Sequence, residues 1–80
     1  MKSLRSPDHQ RVIALLVAAR AKEGLTQQQL ADRLGKPQSF VAKYEGGERR
    51  IDLIEFVAIA HALQFDAARA VREIASKYKP

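Results

Sequence analysis

Apolar positions recur along the chain at helical rather than strand spacing. Val12, Leu15, Leu16 and Ala19 fall on one side of a helical wheel, and no two-residue alternation of apolar and polar positions persists anywhere. Ser6-Pro7-Asp8 supplies a helix start: a side-chain cap, a proline whose missing N–H costs nothing there, and an acid at the positive end of the dipole. The first helix is therefore predicted from Pro7 to Glu23, with Gly24 ending it and Leu25 anchoring the connection into the core.

Thr26 and Gln29 have capping-box spacing and open a short second helix carrying Leu30, Ala31 and Leu34, which Gly35 ends. After Lys36, Pro37 opens a third helix whose inner stripe is Val41 and Tyr44, and Gly46-Gly47 stops it. Glu48-Arg49-Arg50-Ile51 reads as a polar loop. Asp52 and Glu55 repeat the capping-box spacing and start a fourth helix from Leu53 to Leu63, with Leu53, Phe56, Val57, Ala60 and Leu63 predicted inward. Asp66 caps a fifth helix with Ala67, Val71, Ile74 and Tyr78 on one face, and Pro80 closes the chain. The pattern predicts an all-α fold of five helices, with residues 1–80 as a single domain.

Composition narrows the class. Eighty residues with 46% hydrophobic content suffice for one core. Lys and Arg number 14 against 9 Asp and Glu, a formal net charge of +5, and the whole excess lies in residues 1–50. That asymmetry makes a polyanionic partner plausible. With no cysteine, neither a disulfide framework nor a cysteine-ligated zinc supports the fold. No apolar run approaches the roughly 20 residues of a membrane span, and Met1 to Pro7 lacks a signal-peptide apolar stretch, so a cytoplasmic protein is expected with no membrane partner.

The second and third helices carry the chemistry. Their connection, centred on Gly35, is short enough to force a sharp crossing, where only small residues fit at the closest approach. Ala31 lies four residues before Gly35 and Val41 six after it, so a small residue, a flexible corner and an apolar plug stand at the places a bihelical unit needs them. On the third helix, at about 100° per residue, Val41 and Tyr44 point one way while Ser39, Ala42, Lys43 and Gly46 point the other. Small residues on that outer face suit a groove about 12 Å wide, with Gln38 and Lys43 extending towards adenine and guanine edges. Gln38, Ser39 and Lys43 are thus candidate base-contacting residues, and Phe40, at the boundary of the helical wheel, is a further candidate.

With these residues in place, the chain resembles the lambdoid-repressor or XRE-type helix-turn-helix family over about Arg11 to Asp66. The resemblance rests on Leu25-Thr26-Gln27-Gln28-Gln29-Leu30-Ala31, Leu34-Gly35, Gln38-Ser39, Val41, Tyr44-Glu45, Gly47, Leu53, Ile59-Ala60 and Ala62-Leu63. It implies a five-helix lambda-repressor-like DNA-binding domain whose third helix enters the major groove, the docking geometry of the repressors themselves. It also implies that Gln27 contacts phosphate and braces Gln38, and that Arg20 and Glu45 form a structural pair joining the first helix to the end of the third. Gln28, Lys36, Arg49 and Arg50 are further candidates for phosphate contact, which positions a protein without reading sequence. Residues 67–80 form the fifth helix and tail beyond the match.

Phe40 departs from the small or polar residue usual in the family at its position. It either touches a thymine methyl or sugar edge, or packs against the second helix. His9 and His61 are far apart and unaccompanied by cysteine, and Glu45, Glu48, Asp52 and Glu55 each have a simpler role in pairing, solvation or capping. No metal, cofactor or catalytic activity is expected. The reading is a transcriptional regulator that binds double-stranded operator DNA, an inverted repeat, as a homodimer through the fifth helix and the turn before it. The alternative is an antitoxin-type interaction module whose main partner is a toxin protein, with autoregulatory DNA binding.

Overall fold

The computed structural model describes residues 6–78. Among them are five helices and no strand: α1 (Pro7–Lys22), α2 (Gln27–Leu34), α3 (Gln38–Glu45), α4 (Leu53–Ala62) and α5 (Ala67–Ala75). The N-terminal residues 1–5, where no signal-peptide stretch was expected, and the closing Pro80 lie outside the described residues.

Four of the five helices begin where a side chain satisfies a backbone N–H that the helix itself leaves unpaired. Ser6 Oγ accepts from the His9 N–H at 3.1 Å. Thr26 and Gln29 close a full capping box, with Thr26 Oγ1 accepting from the Gln29 N–H at 3.0 Å and Gln29 Oε1 from the Thr26 N–H at 2.9 Å. Asp52 and Glu55 do the same at 2.7 and 2.9 Å, and Asp66 Oδ1 accepts from Arg69 N–H. The exception is α3. Pro37 stands at its N-cap with no side-chain bond, one residue before the helical position expected for it.

Helices α2 and α3 pack against each other; α2 also meets α4, α1 meets α3 and α5, and α4 meets α5. The largest fully buried side chains, Tyr44, Leu16, Leu30, Ile59, Leu63 and Val41, come from α1 to α3 and from α4 with its C-cap. Each such burial stabilises the fold by about 1.5 to 3 kcal/mol, so the core is concentrated where it fixes α3.

Three details differ from the pattern-based expectation. In α1, Ile13 shares the buried face with Leu16, whereas Val12, Leu15 and Ala19 are only partly buried. In α4, Leu53 and Val57, expected inward, are exposed, and Ile59 is buried instead. The cause is that Leu53–Ala62 is apolar nearly all round, so no stripe in the sequence says which side the neighbouring helices cover. In α5, Ala70 is the buried residue, while Val71 and, beyond the helix, Tyr78 are exposed. No helix among the described residues is long and apolar enough to cross a membrane.

Candidate nucleic-acid interface

The corner between α2 and α3 is set by backbone chemistry. Gly35 has a φ of +67°, the left-handed conformation that other residues adopt at a cost. It lets the Lys36 N–H return to the Ala31 carbonyl at 3.0 Å and its own N–H to Asp32 at 3.2 Å, closing α2 in two residues. Ala31, Val41 and Tyr44, none of them accessible to solvent, fill the angle beneath. Helix α3 is thereby presented on the outside of the molecule by packing rather than by a cap.

A chain of polar contacts runs from the scaffold to the tip of α3. Arg20 on α1 grips Glu45 at the end of α3 with a two-pronged contact, Nε to Oε2 at 2.7 Å and Nη2 to Oε1 at 2.9 Å, and its Nη1 donates to the Leu25 carbonyl at 2.8 Å. The Glu45 carboxylate is largely buried, with 7% of its side chain exposed. Its Oε1 also accepts from Gln27 Nε2 at 2.9 Å, which turns the Gln27 carbonyl outward, and there it accepts from Gln38 Nε2 at 2.7 Å. Charge-assisted at one end, the series fixes the orientation of an exposed amide at the other. The hydrogen bonds that Arg20 donates to Glu45 raise the guanidinium pKa above its already high ordinary value.

The outer face of α3 carries Gln38, Ser39 and Lys43, all exposed, with Ala42 half-buried between them. Phe40, also among the base-contacting candidates, is buried, its ring edge-on against Tyr44 of the same helix with centroids 5.5 Å apart. Of the candidates for phosphate contact, Lys36 and Arg50 are exposed on either side of α3, and Gln28 is exposed with its amide donating to Asp32 at 2.8 Å.

Arg49 has another engagement. Its guanidinium donates to both oxygens of Glu55 at 3.0 and 2.9 Å and to the Arg50 carbonyl at 2.7 Å, and it lies 4.8 Å from the Phe40 ring centroid. The paired guanidinium, with the Asp52 N–H, holds the Glu55 carboxyl down to about 2. Sequence reasoning missed this pair: capping-box spacing explains Glu55 as a cap, and the approach of Arg49 depends on how the loop folds back.

The helix-turn-helix family model matches residues 16–68, which contain both α2 and α3 and the whole polar chain. The chain belongs to the XRE family of helix-turn-helix proteins. An XRE-family-like protein from Pseudomonas syringae pv. tomato is similar in structure, with a TM-score of 0.86 and 37% identity over 98% of this chain and 95% of that one. The clp gene regulator ClgR of Corynebacterium glutamicum has the same fold, with a TM-score of 0.75 and 22% identity over 90% of this chain and 77% of that one. No curated protein matches.

Within this XRE-family domain the residues divide by what they do. Ala31, Gly35, Val41 and Tyr44 set the angle of α3, and Arg20, Glu45 and Gln27 hold its first glutamine. Phe40 belongs with neither group: it forms the floor on which Arg49 rests, and Lys36 Nζ also stands 5.5 Å from its ring centroid.

Proposed function

We propose that the protein is a sequence-specific, double-stranded DNA-binding transcriptional regulator that acts in the cytoplasm as a homodimer on an inverted-repeat operator. The observation that carries the reading is the chain Arg20–Glu45–Gln27–Gln38, which pre-orients an exposed amide at the start of an outward helix. Gln38 gives one N–H to Gln27, and no bond among the described residues takes up its other N–H or its carbonyl oxygen. That is the donor and acceptor pair that adenine N7 and N6 require. Lys43, about a turn and a half further along, is suited to a guanine edge, and Ser39 to either base. Lys36, Arg50, Gln27 and Gln28 take the backbone, while the purchase of Arg49 on phosphate is limited by its hold on Glu55.

The homodimer surface in this reading is the apolar groove where α4 and α5 meet. Val12, Phe56, Ala70 and Ile74 line it, and Leu53, Val71 and Tyr78 stand exposed along it. A second copy related by a two-fold axis would cover the same residues on both sides and match the symmetry of an inverted repeat with half-sites about 34 to 36 Å apart. The groove also supports the antitoxin-type alternative, in which a different protein covers it. Co-purification of a second kind of chain would favour that partner.

Selection from a random duplex pool should return an inverted repeat. On that duplex, followed by fluorescence anisotropy, Gln38→Ala and Lys43→Ala are expected to lose about 1 to 3 kcal/mol and to lose less on a scrambled duplex. Arg50→Ala should weaken both alike and lower the salt slope. Equal losses on both duplexes for all three variants would overturn the assignment of Gln38 and Lys43 as base readers.

A further inference from the structure

Arg49 is the basic residue nearest the recognition helix on the side of the α3–α4 loop, yet it is the one whose charge is already matched. Three contacts hold it. The guanidinium fork lies on the Glu55 carboxylate, 3.0 Å to Oε1 and 2.9 Å to Oε2, a third bond goes to the Arg50 carbonyl, and the Phe40 ring lies beneath. Glu55 is itself held in place: its N–H donates to Asp52, and its Oε1 accepts from the Asp52 N–H as well as from Arg49. It is therefore a fixed acceptor rather than a mobile surface charge. Among the described residues the neighbouring cations have no such forked partner, and Lys36 and Arg50 stand open to solvent.

Resting on the DNA-binding reading above, we infer that Glu55 is an affinity-setting residue: an internal acceptor that competes with DNA phosphate for Arg49 and withholds one backbone contact. Carboxylate and phosphate offer a guanidinium the same two-oxygen geometry, so the two are alternatives for a single fork. While Glu55 holds it, the sequence-independent share of binding is one contact smaller, and discrimination by Gln38 and Lys43 is left intact. Such a restraint is useful because phosphate contacts tighten binding to every duplex, and a genome offers far more wrong sites than right ones.

The test uses the whole chain and a fluorescein-labelled mixed-sequence duplex of about 30 base pairs, long enough for two half-sites. Anisotropy is read over a salt series. Glu55→Gln keeps a carbonyl oxygen to accept the Asp52 N–H but gives up the charge that holds Arg49. It is expected to bind several-fold tighter, with a salt slope steeper by about 0.9. In an Arg49→Ala background the same change should bring no gain, since there is no guanidinium to release. Arg49→Lys, which keeps the charge but lacks the fork, should shift the slope in the same direction as Glu55→Gln, and it decides the matter if Glu55→Gln melts before it can be measured.

An equal gain with and without Arg49 overturns the inference, because it shows a general effect of charge near the duplex. Weaker or unchanged binding by a folded Glu55→Gln also overturns it and shows the pair to be a brace. These outcomes refute the inference alone. Absence of binding by the unaltered chain to both the mixed-sequence and the pool-selected duplexes refutes the DNA-binding reading and takes this inference with it.

Discussion

Two faces of this small protein are built on opposite terms. At the α1–α2–α3 corner, polar side chains are partnered in series, so that Gln38 at the surface is connected through Gln27 and Glu45 to Arg20 on another helix. On the α4–α5 face, Leu53 and Val71 lie exposed with only carbon to offer. Hydrogen bonds specify direction, and apolar area does not. The first face can hold an amide in one orientation before any ligand arrives, which reduces the entropy lost on binding. The second can only favour being covered, and its geometry is settled by whatever covers it.

Severing the polar chain at its centre breaks the comparison most severely. Glu45→Ala leaves the Arg20 guanidinium, partly buried, without its carboxylate and frees the Gln27 amide to turn. Breaking a pair of this kind by removing one partner is expected to cost about 2 to 4 kcal/mol in urea denaturation. Affinity for a pool-selected duplex should fall as well, when measured under conditions where the variant is fully folded. A loss of stability with unchanged affinity per folded molecule would show that Gln38 finds its orientation without the chain.

The effect on the apolar face should be smaller in energy and of a different kind. Leu53→Glu combined with Val71→Glu places two charges where the side chains are already 68% and 51% exposed, so the monomer's stability should stay within about 0.5 kcal/mol. Self-association, followed by sedimentation equilibrium, should weaken at least tenfold, which corresponds to about 1.4 kcal/mol. Unaltered association would move the dimer contact off this face.

The same contrast governs what could be read from the sequence. Interactions spanning three or four residues were legible, because a helix fixes that geometry by itself. The caps at Ser6, Thr26, Asp52 and Asp66, the turn at Gly35 and the inner stripe of Val41 and Tyr44 are all of this sort. The bridge from Arg20 to Glu45 spans 25 residues and was legible only through the family resemblance. What escaped depends on how helices dock. Nothing within Leu53–Ala62 chooses Ile59 over Leu53 for burial, since α2 and α5 make that choice. Phe40 likewise stood at the edge of the wheel until the loop brought Arg49 against it.

The smallest expected effect lies at the join between the two faces' logics, where a polar atom sits in the core. Tyr44 is fully buried, and its hydroxyl has no hydrogen-bond partner among the described residues. Burial, and then the charge of Glu45, push its ionisation well above the ordinary phenol range, with Arg20 pulling weakly the other way. The ring is needed, since it supports both Val41 and the edge contact with Phe40, but the oxygen is a desolvated group with nothing to bond. Tyr44→Phe keeps the ring and removes that cost, in exchange for a void of one oxygen atom. The Phe variant is therefore expected to equal or exceed the parent by up to about 1 kcal/mol in urea denaturation, with DNA affinity unchanged. A loss of more than about 1 kcal/mol would mean that the hydroxyl does bond a partner, and the contrast between a partnered polar corner and an unpartnered apolar face would extend into the core itself.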